Sequence, residues 1–267
     1  VGFEKELKQN PCDLVIVVGD VTSTMACTIV AKKALIKVAH VEAGIRSGDM
    51  RMPEEINRIT CDHMSTLLFS PTKQGVQNLK KEGFTLENTP PYSIDNPKVY
   101  HSGDVMYDNS LHFSIYSDEN STLLRDLGVD SQYILATVHR NNNTDIPSRL
   151  NAIFESLLTI SKANNIPVIL PLHPRTKKMM ELHLNEEVRE KLANHDLFKI
   201  IPPATFMDMI ALEKNASLII TDSGGVQKEA YFFNKQCLIL RDETEWTELV
   251  EYGSNVVVGA NTDIILA

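Results

Sequence analysis

Short apolar runs rich in Val and Ile alternate along this chain with longer segments of helical period, and no other feature constrains the fold as strongly. Runs without polar alternation suit strands buried on both faces, and the segments between them are long enough for crossover helices. The chain is therefore read as α/β with parallel sheets. Strands are expected at residues 13–18, 37–41, 66–70 and 98–102, then 133–138, 168–172, 198–201, 217–221, 237–240 and 255–258. Helices are expected at 23–35, 53–64, 73–82, 146–162, 206–215, 226–233 and 244–252. Pro53 sits at a first helical position, and Thr72 and Thr205 precede helical runs as start signals.

Between Tyr107 and Gln132 the pattern loosens through Ser117-Asp118-Glu119-Asn120-Ser121 and a short amphipathic stretch ending Gly128-Val129-Asp130. A domain boundary is placed there, near residue 125, which gives two halves, 1–125 and 126–267. Each half forms a doubly wound sheet, and such sheets bind ligands beyond the carboxyl ends of their strands. The chain opens at Val1 without a methionine and reaches its first strong strand only at Asp13, so it reads as an excerpt of a longer one.

Charge narrows the choice of partners. Asp+Glu 35 against Lys+Arg 26 leaves a net charge of −9, opposite to what phosphate-backbone binders carry, so neither nucleic acid nor an anionic membrane is expected. No apolar run approaches the roughly 20 residues that span a bilayer, and no basic-then-apolar leader opens the chain. A cytoplasmic protein is the expectation. Cys12, Cys27, Cys61 and Cys237 lie in or beside apolar segments with no CxxC pairing, which suits small buried hydrophobes in a reducing compartment rather than staples or zinc ligands.

Polar residues cluster where strands end. The first strand runs into Gly19-Asp20-Val21-Thr22-Ser23-Thr24, an acid and hydroxyls at a strand-to-helix turn, where Asp20 or Thr22 could equally cap the next helix. The second runs into Glu42-Ala43-Gly44-Ile45-Arg46. A carboxylate there is costly to leave unpaired, and Arg46 is one available partner. Pro53-Glu54-Glu55-Ile56-Asn57-Arg58 opens a helix with two acids in its positive first turn. Glu54 and Arg58, four apart, share a face from which Glu55 is turned by about 100°. At most one of the two acids serves chemistry on that geometry.

In the second half, strands end at His139-Arg140-Asn141-Asn142-Asn143, at His173-Pro174-Arg175-Thr176 and at Asp222-Ser223-Gly224-Gly225-Val226-Gln227-Lys228-Glu229. His139 beside Arg140 suits phosphate contact or proton transfer. Helix amino termini expose unpaired N–H groups, so a strand–Ser-Gly-Gly–helix junction can cradle a diphosphate, although a plain tight turn also accounts for the glycines. Glu229, one helical turn in, is placed to accept from ribose hydroxyls. GxGxxG and GxxxxGK[ST] are both absent, which removes most support for nicotinamide redox and P-loop hydrolysis.

The ordered set Gly19-Asp20, His40-Val41-Glu42-Ala43-Gly44-Ile45-Arg46-Ser47, Met52-Pro53-Glu54-Glu55-Ile56-Asn57-Arg58, His139-Arg140, His173-Pro174-Arg175, Thr221 to Glu229 and Leu240 to Glu245 resembles the non-hydrolysing UDP-N-acetylglucosamine 2-epimerases over nearly the whole chain. The resemblance implies two Rossmann-like domains of the glycosyltransferase-B type, the first incomplete, with UDP held mainly by the second and the sugar in the cleft between them. By motif, Asp20, Glu42 and Glu54 match the catalytic carboxylates, and His139 the catalytic-site histidine. Ser223, Gly224, Gly225 and Glu229 match the diphosphate and ribose contacts, joined by His173 and Arg140. Arg46, Arg58, Arg241 and Asp242 are assigned more loosely to the sugar and cleft.

The resemblance also implies a homodimer, no cofactor, no metal, and a place in making precursors of bacterial surface polysaccharide. Residues 23–35 and 53–64 offer apolar faces for a dimer, which packing within a monomer explains equally well. The sequence departs from the family at Asn141-Asn142-Asn143, where an acid is common, at Gly103-Asp104 for Gly-Asn, and at Glu243-Thr244-Glu245-Trp246-Thr247-Glu248 for TTERPE. The last points to a related UDP-sugar.

The chemistry explains the residue types. The C–H at carbon 2 of such a sugar has no adjacent carbonyl, so direct carbanion formation is implausible. Loss of UDP from carbon 1 with the carbon 2 proton gives a neutral unsaturated sugar, to which UDP re-adds after a proton arrives on the other face. That demands proton-transfer groups on both faces and stabilisation of a departing diphosphate. A hydrolysing relative, a glycosyltransferase of the same architecture and a UDP-binding fragment without activity stay open as alternatives.

Overall fold

The structure, a computed structural model, describes residues 2–129 and 132–267; Val1, and Asp130 at the end of the amphipathic stretch, lie outside them. It divides into two compact units, Val1–Val105 and Met106–Ala267. The first runs α1 (Gly2–Gln9), β1 (Leu14–Val18), α2 (Thr22–Lys33), β2 (Lys37–Val41), α3 (Pro53–Met64), β3 (Leu67–Ser70), α4 (Lys73–Lys81) and β4 (Lys98–His101). The second follows with α5 (Val105–Asn120), α6 (Leu123–Asp126), β5 (Ile134–Thr137), α7 (Asn141–Thr144), α8 (Pro147–Asn164), β6 (Val168–Pro171), α9 (Pro174–His183) and α10 (Glu186–Ala193). It closes with β7 (Phe198–Ile201), α11 (Phe206–Asn215), β8 (Leu218–Thr221), α12 (Gly224–Phe232), β9 (Cys237–Ile239), α13 (Thr247–Glu251), β10 (Asn255–Val257) and α14 (Thr262–Leu266).

All strand pairs are parallel. In unit 1 the order is β1-β2-β3-β4, with Val18 opposite Val41. In unit 2 it is β10-β9-β8-β5-β6-β7, so the chain winds outward from β5 through β6 and β7, then crosses back to β8 and winds the other way. The reversal lies between β5 and β8. Ligands in sheets of this type bind at that switch point, outside the carboxyl ends of the strands.

The second sheet is buried on both faces as its apolar runs require. Ile134, Ala136 and Val138 join Leu150, Phe154, Val168 and Leu170 in one core. Tyr133 and Leu135 point the other way, into a core with Ile169, Leu212 and Ile219. Each fully buried side chain of this size contributes ~1.5–3 kcal/mol. Strand β1 differs: it alternates, with Val15 and Val17 buried against Leu7, Ala31 and Val38, while Ile16 stands 64% exposed. It is the edge strand of its sheet among the described residues.

The division of the chain at 105/106 falls ahead of the boundary placed near residue 125. Helix α5 is the cause, because it docks on α11: Ser117 Oγ donates to the Met207 carbonyl at 2.8 Å, Ser121 Oγ to Asp208 at 2.7 Å, and Lys214 Nζ to Asp118 at 2.5 Å. Thr72 and Thr205 cap α4 and α11, accepting from Gly75 N and Asp208 N. Helices α2 and α3 pack on each other, with Thr28 Oγ1 donating to the buried Cys61 Sγ at 3.6 Å. Burial pushes the Cys61 thiol up to about 11 and the Cys237 thiol up to about 12. Cys12, expected to be a buried hydrophobe, is exposed. No described helix is long and apolar enough to cross a membrane.

Candidate active site

Unit 1 brings its acids to the carboxyl edge of the sheet. Gly19, next after β1, adopts φ +69 and donates its N–H to the Val41 carbonyl at 3.0 Å, which locks the β1 turn to the end of β2. Asp20 follows. Its carboxylate, on a side chain 32% exposed, is gripped by Arg58 of α3 through Nε at 2.9 Å and Nη2 at 2.6 Å, while Asn57 Nδ2 donates to the Asp20 carbonyl at 2.7 Å. Asp20 therefore does not cap α2, whose N-cap is Val21 without a side-chain bond.

Glu42 lies at φ +77, a left-handed conformation that costs a non-glycine residue of this kind ~1–3 kcal/mol and gathers at functional sites. Both Glu42 N and Ala43 N donate to the Phe69 carbonyl of β3, so the strand-end hydrogen bonds fix the conformation. The Glu42 carboxylate reaches over Gly19, with Oε2 3.5 Å from where a Cβ on that glycine would stand. Glu54 occupies the first turn of α3, the helix whose Arg58 holds Asp20.

Glu55 has another job. It is buried and accepts from Ser47 N at 3.0 Å, Gly48 N at 2.9 Å and Arg58 Nη1 at 3.0 Å. Burial would raise its carboxyl, but the Ser47 and Gly48 amides and Arg58 outweigh this and hold it below the usual range. Arg58, expected near the sugar, is nearly sealed from solvent between Asp20 and Glu55. Arg46 is also committed within the fold: it forks onto Glu82 at 2.7 and 2.8 Å and reaches Asp62 at 2.8 Å.

Unit 2 builds its site at the switch point. Thr137 and Thr221, the last residues of β5 and β8, share a hydrogen bond at 2.5 Å across the pair. Just beyond them Asp222, fully buried, accepts from His139 N at 3.0 Å, Arg140 N at 2.9 Å and Asn143 Nδ2 at 3.1 Å. Its Oδ1 also lies 3.1 Å from His139 Nδ1. Burial alone would raise this carboxyl, yet the His139 hydrogen bond and charge, then the Arg140 amide, keep it below the usual range. An ionised carboxylate thus fixes the imidazole through Nδ1 and leaves Nε2 for a ligand. His173, at the end of β6, packs its ring 5.7 Å from that of His139 and caps α9 by accepting from Arg175 N.

Ser223 stands at the N-cap of α12 with no side-chain cap bond, so its hydroxyl is not spent on the helix. Gly224 is required by its neighbours. A Cβ there would lie well inside van der Waals contact of Glu245 Oε1, and the Gly224 carbonyl accepts from Trp246 Nε1 at 2.9 Å. Gly225 has open space: the nearest atoms to a Cβ are Met106 Cε at 3.8 Å and, at 3.9 Å, Ser223 Oγ and Glu229 Oε2. Ser223 and Glu229 therefore face the same glycine at the helix start.

Behind Glu229, the buried Glu213 of α11 hydrogen-bonds it, and burial followed by the Glu229 charge raises the Glu213 carboxyl well above its ordinary value. Arg241 is buried against Glu245, Nη1 to Oε2 2.8 Å, whereas the exposed Asp242 pairs with Arg149 at 3.2 Å. Among the described residues no group of three or more His, Cys, Asp and Glu is gathered to hold a metal ion.

Sequence reasoning passed over Asp222 as the organiser of His139, and over His40 and Asp62 beneath the acid edge. Both had a signal. Asp222 follows its strand as Asp20 does, and Asp62 falls on the buried α3 face marked by Glu55 and Arg58.

Two units on parallel sheets, one wound in a single direction among the described residues where a doubly wound sheet was expected, with acids at its strand ends, and one doubly wound with a histidine and a glycine-flanked helix start at its switch point, define an α/β enzyme of the glycosyltransferase-B type. The family model described as UDP-N-acetylglucosamine 2-epimerase matches residues 1–267, and the chain belongs to that family of isomerases. It is 45% identical over 262 residues to a UDP-N-acetylglucosamine 2-epimerase homolog of Methanococcus maripaludis, an alignment covering 97% of this chain and 68% of that protein. It is also 45% identical over 261 residues to the UDP-2,3-diacetamido-2,3-dideoxy-D-glucuronate 2-epimerase of Pseudomonas aeruginosa, covering 97% and 67%. Among solved structures, the Methanocaldococcus jannaschii UDP-GlcNAc 2-epimerase in complex with UDP-GlcNAc and UDP superposes with a TM-score of 0.87 at 38% identity, over 99% of this chain and 70% of that one.

Proposed function

We propose that this chain inverts carbon 2 of UDP-N-acetylglucosamine, or of a closely related UDP-sugar, by eliminating UDP from carbon 1 and adding it back. The observation that carries the reading is the strained Glu42 held over Gly19, at the same strand-end edge as Asp20 and with Glu54 on the helix that grips Asp20. One carboxylate takes the carbon 2 proton as the C1–O bond to UDP breaks, leaving a neutral unsaturated sugar and free UDP. A carboxyl group on the other face then delivers a proton to carbon 2 as UDP re-forms the bond at carbon 1. Asp20, Glu42 and Glu54 supply these groups.

Unit 2 handles the leaving group. The helix start at Ser223, Gly224 and Gly225 offers amide N–H groups to the diphosphate, and His139 with His173 and Arg140 completes its surroundings. Glu229 accepts from the ribose hydroxyls. The balance of this step needs no metal or nicotinamide. Arg46 and Arg58 act by positioning acids, and Arg241 and Asp242 border the sugar. The identities above are equal for a UDP-N-acetylglucosamine relative and for a diacetamido-glucuronate relative, so both sugars are candidate substrates. On the family resemblance the assembly is a homodimer, which sedimentation would check. Four unpaired cysteines suit the reducing cytoplasm.

NMR of the enzyme with each UDP-sugar in deuterated water tests the reading. The expected result is the carbon 2 epimer with deuterium at carbon 2. No deuterium with either sugar contradicts it, and free sugar with irreversible accumulation of UDP identifies a hydrolysing enzyme instead.

A further inference from the structure

His40 is the penultimate residue of β2, fully buried beside the apolar Val38, Ala39 and Val41 of the same strand. Its two ring nitrogens face acceptors. Nδ1 lies 2.6 Å from Asp62 Oδ1, and Nε2 lies 3.0 Å from the carbonyl oxygen of Gly19. A carbonyl oxygen carries no proton, so Nε2 must donate to it. The other oxygen of Asp62 already receives the Gly44 amide at 3.0 Å and Arg46 Nη2 at 2.8 Å, an environment that stabilises the carboxylate anion. Nδ1 must then donate as well.

We infer that His40 is held as a doubly protonated imidazolium and serves as the positioning residue for the Gly19–Asp20 turn. The charges around it balance this state. Asp62 comes from α3, Glu42 follows on β2 itself, and Asp20 follows the pinned glycine. Arg46, which carries the second positive charge, is itself neutralised by Glu82 at the end of α4. The thiol of Cys61, beside Asp62 on α3, is held neutral by burial. Burial opposes the charge on His40, but the Asp62 hydrogen bond and charge, with the Gly19 carbonyl and the Glu42 charge, together outweigh it, so the ring holds its proton above the usual histidine range.

The consequence falls on the acid edge. The Gly19 residue is tied by its N–H to Val41 and by its carbonyl to His40, and the next side chain is Asp20, tied in turn to Arg58. Loss of the proton would aim a lone pair at the Gly19 carbonyl and release the turn that sets where Asp20 and Glu42 stand. The role in turnover rests on the epimerase reading above; the charge state does not.

The test is ring-nitrogen NMR of the enzyme labelled with ¹⁵N-histidine, read beside the pH dependence of kcat. Both ring nitrogens of His40 are expected to be protonated at pH 8, and kcat is expected to fall as His40 loses its proton at higher pH. His40→Asn and His40→Gln are expected to lower kcat roughly ten- to a hundredfold, with UDP affinity within about twofold of the parent. A neutral His40 ring at pH 7 overturns the inference. So does a kcat that stays level while His40 deprotonates in the unmutated enzyme, a result available even where the variants fail to fold. Absence of carbon 2 exchange in the unmutated enzyme overturns the epimerase reading and the positioning role with it, while the ring nitrogens still decide the charge state.

Discussion

The two units hold their buried carboxylates with different balances of arginine and amide partners. In unit 1 a side-chain cation reaches each acid, Arg58 lying between Asp20 and Glu55 and His40 with Arg46 flanking Asp62, while the Ser47, Gly48 and Gly44 amides complete the partners of Glu55 and Asp62. In unit 2 Asp222 is held by the His139 ring together with the backbone amides of His139 and Arg140 and the Asn143 side chain. The difference suits the proposed tasks. Acids that exchange protons need neighbours whose charge is set by the fold, whereas a histidine facing a diphosphate needs a rigid strut behind it. It also means that removing Arg58 from unit 1 takes a cation from a buried carboxylate, while removing Asp222 from unit 2 takes the acceptor from two backbone amides.

The largest expected effect is therefore Arg58→Leu. It removes the cation shared by the buried Glu55 and Asp20, so it should destabilise unit 1 by ~3–5 kcal/mol and abolish turnover, measured by urea unfolding and carbon 2 exchange. Asp222→Ala leaves the His139 and Arg140 amides without their acceptor. A loss of ~1–3 kcal/mol is expected, with kcat down roughly a hundredfold as the imidazole loses its orientation. If both variants cost the same stability, the contrast between cations and amides is wrong.

Acid and base should act on unit 1 at both ends of a window. The lowered Asp62 carboxyl contributes stability above its unfolded value that is lost as pH falls through its folded one. The raised His40 contributes stability below its unfolded value that is lost as pH rises through its folded one. In unit 2 the raised Glu213 has the sign of His40, being stabilising in its protonated form and costly once ionised. Glu213→Gln should raise the thermal midpoint at pH 8 and change it little at pH 4, as followed by differential scanning calorimetry.

The two glycines of the turn give the finest contrast. Gly224→Ala must displace the buried Glu245 and should cost ~1–3 kcal/mol. Gly225→Ala meets no close neighbour and should stay within ~0.5 kcal/mol in stability, while on the proposed function it weakens UDP binding, because its methyl group would stand between Ser223 and Glu229 where the nucleotide is proposed to sit. Calorimetric titration of UDP into each variant separates packing from binding.

Much of this was legible before any coordinates. The ten expected strands recur within a residue or so of their predicted ends among the described residues, because runs such as Leu14 to Val18 and Leu218 to Thr221 leave little but a parallel strand as their solution. Helix α5 was not legible, because Leu111, Phe113, Ile115 and Tyr116 keep no steady three-to-four spacing and no single face is apolar. Helices α1, α9 and α10 are short and largely polar, so their apolar stripe is thin.

Motif residues at strand ends were visible because position in a parallel sheet dictates where they go. Their supports were not. That Asp222 strikes a buried bond to His139, or that His40 reaches across to Gly19, depends on which strands become neighbours, and the order β8-β5-β6 in unit 2 is set by packing that no local spacing records.

The central claim is that Asp20 and Glu42 move the carbon 2 proton while unit 2 grips UDP. The most direct measurement follows deuterium entry at carbon 2 in Asp20→Asn and Glu42→Gln alongside UDP titration of the same samples. Near-complete loss of exchange with UDP affinity intact is the predicted result; exchange that persists at the parental rate in both variants would contradict it.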